Sequence, residues 1–199
     1  MSWTKQAAGG RLPIRPRYAH TATTTAAGIV VFGGASLTGD AFGDVHTLDY
    51  STMPLPRGLL VGLLTNTPTP TPTLTLTLTI MYVDSFEWVR IKTTGESVPA
   101  RYLHSAVSYC QFVIVFGGTN STEELFNDVW FLNTDTWEWS KPAVTGTPPP
   151  GRFGHSAMLV GSKMIIYGGT GAPGTATILS DTAVFDIGIY TALSKSFAL

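Results

Sequence analysis

Three copies of one pattern constrain this 199-residue chain more than any other feature. The segments Arg17-Tyr18-Ala19-His20, Arg101-Tyr102-Leu103-His104 and Arg152-Phe153-Gly154-His155 align without gaps. Thirteen residues after each histidine stands a glycine pair: Gly33-Gly34, Gly117-Gly118 and Gly168-Gly169. Each pair closes an apolar run, Ile29 to Phe32, Val113 to Phe116 and Ile165 to Tyr167. Ten to twelve residues after the second glycine, an aspartate (Asp44, Asp128, Asp181) opens another strand-like segment. A tryptophan follows in two copies, and Trp88 and Trp139 each lie 13 residues before the next arginine. Trp3 lies 14 residues before Arg17, as if the chain opened on the end of a further copy. A long period with internal alternation is the mark of stacked supersecondary units.

Each copy reads as a four-stranded antiparallel meander. Strand a begins at Arg-x-x-His-[Ser/Thr]. Strand b is the apolar run, continuous and therefore buried on both faces. Strand c carries alternating apolar residues and strand d the large aromatic. Prolines ahead of strand a (Pro13, Pro16, Pro99, Pro148 to Pro150) stiffen the d–a connection, because proline cannot donate to a central ladder. Composition agrees: 21 Gly, 13 Pro and 29 Thr disfavour long helices and favour short strands joined by turns.

The combination of Arg-x-x-His, Gly-Gly, Asp-x-x-x-[Leu/Phe]-[Asp/Asn] and the following Trp resembles the kelch repeat. The resemblance covers about 165 of the 199 residues and implies an all-β fold, a partial kelch-type β-propeller of three four-stranded blades. Blade 1 is expected at about 17–92, blade 2 at about 101–141 and blade 3 at about 152–193, with an extra N-terminal d strand at about 2–6. Three blades cannot close a ring. Completion by missing blades or by self-association is therefore expected.

The first copy is longer than the second. Arg17 to Arg101 spans 84 residues and Arg101 to Arg152 spans 51. The 33 extra residues fit Ser51 to Val83, whose removal restores a normal c–d connection. That stretch holds one charge, Arg57, and a Thr-Pro tract that turns into a Thr-Leu tract. It reads as a drifting short tandem repeat of noncoding origin, such as a retained intron. The alternative is a polyproline-type or β-edge recognition segment, or a Thr-rich modification site.

Composition excludes several functions. Twelve Lys and Arg balance 13 Asp and Glu, so no field draws a polyanion and nucleic-acid binding is not expected. The longest apolar stretch is too short to span a bilayer, and the first residues hold no signal-like apolar region, which together lead to the expectation of a soluble cytoplasmic protein without a membrane partner. Cys110, the single cysteine, excludes an internal disulfide or a Cys-cluster zinc site and reads as a buried, inert thiol.

No catalytic, cofactor or metal site emerges. Arg17, Arg101, Arg152, His20, His104 and His155 recur at every repeat, whereas catalysis needs one convergent constellation. They read as structural, hydrogen-bonding buried backbone at blade starts, as do the repeated glycines, aspartates and tryptophans. His46 stands alone on strand c, where the second copy has Trp130. Among kelch-like enzymes, the copper oxidases imply a Tyr–Cys crosslink that the adjacent Tyr109 and Cys110 do not form. The iron-binding specifier proteins imply Glu-x-x-x-Asp-x-x-x-His; here Glu124 and Asp128 match but position 132 is Leu.

What remains is a binding surface. In such a meander the b–c and d–a loops leave one face and the a–b and c–d loops the other. The b–c loops, Ala35 to Gly43, Thr119 to Asn127 and Thr170 to Ser180, differ most among copies, and variable loops on a repeated scaffold carry recognition. Asp40, Asn120, Glu123, Glu124 and Thr170 are the candidate contacts, suited to a basic segment of a partner protein. The expected function is non-catalytic protein interaction. The alternatives are an iron-dependent specifier or lyase-type enzyme and a nonfunctional truncated gene product.

Overall fold

The computed structural model describes residue 2 and residues 14–49, 87–171 and 177–188. Its strands form three sheets in chain order, one for each copy of the repeat. In the first, β1 (Thr21–Thr25), β2 (Gly28–Phe32), β3 (Val45–Asp49) and β4 (Glu87–Ile91) form an antiparallel meander. In the second, β6 (Ser105–Tyr109), β7 (Phe112–Phe116), β8 (Val129–Asn133) and β9 (Glu138–Ser140) repeat that order. In the third, β10 (Ser156–Val160), β11 (Lys163–Tyr167) and β12 (Thr182–Asp186) supply strands a to c.

The blades depart from the sequence expectation in two places. The third sheet has three strands rather than four among the described residues, because most of the segment expected to supply its fourth lies outside them. The second sheet has five. β5 (Thr94–Gly95), in the connection leaving blade 1, runs parallel to β9 at the outer edge of blade 2. Gly95 allows this approach: its φ is 81°, and a Cβ there would lie 2.3 Å from the Trp139 carbonyl oxygen. The expected insert, 51–83, lies outside the described residues, as does all of the expected N-terminal strand except residue 2. Asp49 pairs with Glu87 across β3 and β4, so the two ends of segment 50–86 are neighbours in one sheet.

The apolar runs explain the packing. β7, Phe-Val-Ile-Val-Phe, is buried along its whole length. Pleating sends Phe112, Ile114 and Phe116 to one face and Val113 and Val115 to the other. The first set joins Val107 and Phe131 against Met164 and Ile166 of blade 3. The second joins Trp130, Leu132 and Trp139 against Val30, Phe32 and Val45 of blade 1. Blade 2 is thus the shared middle layer of two cores. Each fully buried Phe, Ile or Val there contributes about 1.5–3 kcal/mol through burial.

The repeated polar residues lock each blade and then join it to its neighbour. Arg101 Nη1 donates to the Gly117 carbonyl (3.0 Å) and to Asp128 Oδ1 (2.7 Å), and Nη2 to Asp128 Oδ2 (3.1 Å). Arg17 makes the same bonds to Gly33 and Asp44, and Arg152 to Gly168 and Asp181. Arg101 and Arg152 are completely buried. The histidines do something the sequence reading did not anticipate: they bond side chains across the blade junction rather than backbone. His104 Nε2 lies 2.9 Å from Thr21 Oγ1, and His155 Nε2 lies 2.8 Å from Ser105 Oγ. The first glycine of the first and second pairs makes room for this. A Cβ on Gly33 would come within 2.4 Å of the Arg101 carbonyl and 2.8 Å of the His104 ring.

Cys110 is exposed rather than buried. It occupies the tight turn between β6 and β7 with φ 51°; the apolar run begins two residues later, at Phe112.

Replacing Gly117 (φ 66°) by Ala sets a Cβ 2.8 Å from the Arg152 carbonyl. A loss of about 3 kcal/mol or more in denaturant-monitored stability is expected. Gly146→Ala, at φ 83° with nothing within 4 Å, is expected to lose only the left-handed strain of about 1–2 kcal/mol. The junction histidines make the fold acid-sensitive. Burial, assisted by the Arg101 charge, lowers the His104 pKa to about 3. Burial and Arg152 lower that of His155 to about 4. Both stay neutral in the folded chain while the unfolded chain takes up protons near pH 6.5. Stability therefore falls as pH drops below about 6.5, until about 4 for His155 and about 3 for His104. Each histidine contributes a slope approaching about 1.4 kcal/mol per pH unit. Urea titrations between pH 6 and 4.5 check this: His104→Gln is expected to remove one such increment.

Candidate functional site

The b–c and d–a loops do emerge together. The Phe42 carbonyl, at the end of one b–c loop, accepts the Arg101 amide hydrogen bond at the end of the next d–a connection (3.1 Å), and Phe126 and Arg152 repeat this (3.2 Å). The first and second b–c loops are tied to each other through Ser121, whose Oγ accepts from Ala41 N (2.8 Å) and donates to the Gly39 carbonyl (3.0 Å). Backbone bonds thus link each described d–a connection to the preceding b–c loop, and a hydroxyl links the first two b–c loops.

The five candidate residues do different jobs on these loops. Asp40 Oδ2 accepts from Thr38 Oγ1 (2.7 Å) and Ser36 Oγ (3.2 Å), folding its own loop. Asn120 does the equivalent in blade 2: its Oδ1 accepts from Thr122 N, Thr122 Oγ1 and Glu124 N, while its Nδ2 donates to Glu124 Oε2 at 3.0 Å. Asp40, Asn120 and Glu124 therefore shape loops, although Asp40 and Glu124 keep carboxylate charge at the surface. Glu123 is different. It occupies the left-handed position (φ 60°) that Gly39 fills in blade 1, and its exposed side chain has no partner among the described residues. Thr170 sits at the loop base, where its amide and carbonyl bridge to Phe153 (2.9 and 3.1 Å); Ala35 and Thr119 hold the same position in the other blades.

Two features escaped the sequence reading. Leu37 and Ile178 project from the first and third b–c loops with 100% and 82% of their surface exposed. The signal was an aliphatic residue inside an otherwise polar loop. The second is the aromatic after each repeated arginine. Tyr18, Tyr102 and Phe153 each bridge to the start of a b–c loop. The Tyr18 and Tyr102 rings lie 6.5 Å apart, and Tyr18 is half exposed. A repeated aromatic looks like core in a sequence; only its place beyond the end of strand b puts it at the surface.

Electrostatics separates the structural ionisable groups from any reacting one. Burial would raise the pKa of Asp44 and Asp128, but hydrogen bonding and charge from Arg17 and Arg101 outweigh it, so both are held below the usual carboxylate value. His46 is buried at the position of Trp130, with Nδ1 3.6 Å from Asp44 Oδ2; in blade 2 the Trp130 indole donates to Asp128 (2.6 Å). Burial, with the Arg17 and Arg90 charges, lowers the His46 pKa even though Asp44 opposes this. Among the described residues, no three His, Cys, Asp or Glu side chains stand close enough to share a metal ion. Leu132, at the position where the iron motif requires a ligand, is fully buried in the core. Among these residues no helix is long and apolar enough to cross a membrane.

Comparison with known proteins agrees with this architecture. A solved structure, "Structure of YjhT", superposes with a TM-score of 0.58 at 16% identity, covering 87% of this chain and 49% of that one. The chain is 35% identical over 91 residues to dynein regulatory complex subunit 7 of Chlamydomonas reinhardtii, covering 45% of this chain and 8% of that protein. It is 44% identical over 69 residues to Kelch domain-containing protein 3 of Bos taurus, covering 35% and 18%. Host cell factor of Drosophila melanogaster shares 34% over 89 residues, covering 42% and 6%. The chain thus matches less than a fifth of the length of each of these relatives. The model of the KLHDC2/KLHL20/DRC7 Kelch-repeats domain matches residues 59–194, and with three blades built on Arg-x-x-His and Gly-Gly, the chain belongs to that kelch-repeat family.

Proposed function

We propose that this chain is a non-catalytic protein-interaction module whose recognition surface is the b–c and d–a face. One observation carries the reading. Leu37, Ile178 and half-exposed Tyr18 lie on or against the same set of b–c loops that carries the exposed carboxylates of Asp40, Glu123 and Glu124. A loop face that offers exposed apolar and aromatic side chains together with carboxylates suits a protein segment that pairs apolar side chains with Lys or Arg. Pre-ordered loops lower the entropy lost on binding. The relatives in regulatory and kelch-domain proteins favour the same class of role.

A catalytic role has less support. The recurring arginines and aspartates pair with each other, and His104 and His155 are buried at blade junctions.

Selection from a display library of short peptides tests the reading. Enrichment of peptides combining Lys or Arg with an aromatic or aliphatic residue is expected. Glu123→Lys with Leu37→Asp should weaken binding about tenfold or more, while substitutions in the β6–β7 turn at Gln111 leave it unchanged. Binders sensitive to Gln111 and indifferent to Glu123 would overturn it. For the catalytic alternative, treatment with a chelator is expected to leave the melting temperature unchanged; stoichiometric iron or copper in purified protein would contradict the non-catalytic reading.

A further inference from the structure

The first and second b–c loops fold alike. Gly39 N donates to the Ser36 carbonyl (2.9 Å) and Glu123 N to the Asn120 carbonyl (3.0 Å), so each loop contains a four-residue turn. Ser121 follows Asn120 at the tip of the second turn, where the first turn has the fully exposed Leu37. Ser121 is exposed as well. Its hydroxyl differs from the others nearby. Ser36 Oγ and Thr38 Oγ1 bond to each other (2.6 Å) and to Asp40 Oδ2, and Thr122 Oγ1 donates to Asn120 Oδ1 (2.8 Å), all within one loop. The bonds of Ser121 cross between blades: Oγ accepts from Ala41 N and gives its one hydrogen to the Gly39 carbonyl. A single oxygen atom thereby holds one loop against the next.

The residues that follow are acidic: Ser121-Thr122-Glu123-Glu124. Carboxylates at the second and third positions after an exposed serine are the charge pattern that an acid-directed protein kinase, with its basic substrate channel, selects. The surroundings are acidic too. Residues 35–43 and 119–127 contain the carboxylates of Asp40, Glu123 and Glu124 and neither Lys nor Arg. A phosphate added here therefore finds no cation within these loops to hold it in place.

We propose that Ser121 is a phosphorylation site at which a protein kinase unties the first b–c loop from the second. A nucleoside triphosphate supplies the group. The bond from its γ-phosphorus to the bridging oxygen breaks and a bond from that phosphorus to Ser121 Oγ forms. The hydroxyl proton passes to the kinase's base, and the nucleoside diphosphate leaves. The esterified Oγ has no hydrogen left for the Gly39 carbonyl. The new group carries about −1.5 to −2 charge on three acceptor oxygens. It adds this charge to a turn that already holds Glu123 and Glu124, facing a loop that holds Asp40. Like charge and the lost donor then part the two turns. The consequence for recognition rests on the interaction role proposed above: loops fixed to each other become loops that move separately, and ordering them on binding costs more. The modification and the parting of the loops do not rest on that role and are measured with no partner present.

The full chain, incubated with ATP and an acid-directed serine kinase of the casein-kinase type, tests this. Fragment mass spectrometry maps the phosphate, amide exchange is followed by NMR at fixed pH, and far-UV circular dichroism checks the fold of each variant. Phosphate on Ser121 is expected, with the Ala41 amide exchanging at least about tenfold faster in the modified chain and Gly118 unchanged. Ser121→Ala should take up no phosphate at this turn and show a similar acceleration at Ala41, since it lacks the acceptor for that amide. Glu124→Gln keeps an acceptor for the Asn120 amide but removes the charge, and should slow transfer to Ser121 about tenfold or more. A Ser121 left unmodified while an acidic control peptide is phosphorylated overturns the proposal. So does phosphate on Thr122 or Ser36 in its place, transfer indifferent to Glu124→Gln, or a modified chain in which Ala41 stays protected.

Discussion

The buried arginine at the start of each blade is the interaction on which the rest depends. Taking a guanidinium out of water is costly unless nearly every donor is paired. Here Nη1 and Nη2 hold the aspartate that opens strand c and the carbonyl of the first glycine, and Nε reaches the carbonyl two residues back. The ring of Phe126 lies under Arg101 at 4.2 Å, and that of Phe42 under Arg17 at 4.6 Å. One side chain thereby ties the start of strand a to the end of strand b and the start of strand c. It also orients its own backbone outward. The Arg101 amide and carbonyl complete the b–c loop and glycine pair of the preceding blade. Locking one blade and closing the one before it are a single event, as expected of nearest-neighbour coupling in repeat proteins.

This coupling explains which parts of the fold could be read from the residues. Asp-x-x-x-[Leu/Phe] and Arg-x-x-His recur because each blade needs the clamp, and β2, β7 and β11 fall on the apolar runs before the glycine pairs. Features that depend on the neighbouring blade were harder to read. The hydroxyl partners of His104 and His155 belong to another copy, so no spacing within one repeat announces them. β5 exists only because the d–a connection of blade 1 lies along the edge of blade 2. Cys110 is exposed although it stands two residues before an apolar run, because it forms the β6–β7 turn, a position that hydrophobicity along the chain does not reveal.

The recognition surface follows the same division. Asp40, Asn120 and Glu124 drew notice in the sequence as polar loop residues, yet they fold their own loops. Glu123, Leu37 and Ile178 are exposed and Tyr18 is half exposed on the described loops. Polar residues in short loops serve the backbone first. An apolar residue there has no such use, which makes it the better indicator of a contact surface.

The most direct test concerns the claim that one blade's arginine closes the preceding blade. Amide hydrogen exchange of Gly118, whose N–H donates to the Arg152 carbonyl, measures it in wild type and in Arg152→Leu. The account predicts that Gly118, one blade away from the altered side chain's own sheet, exchanges at least about tenfold faster in the variant, while Gly34 stays protected. Exchange that accelerates in β11 and leaves Gly118 unchanged would contradict it.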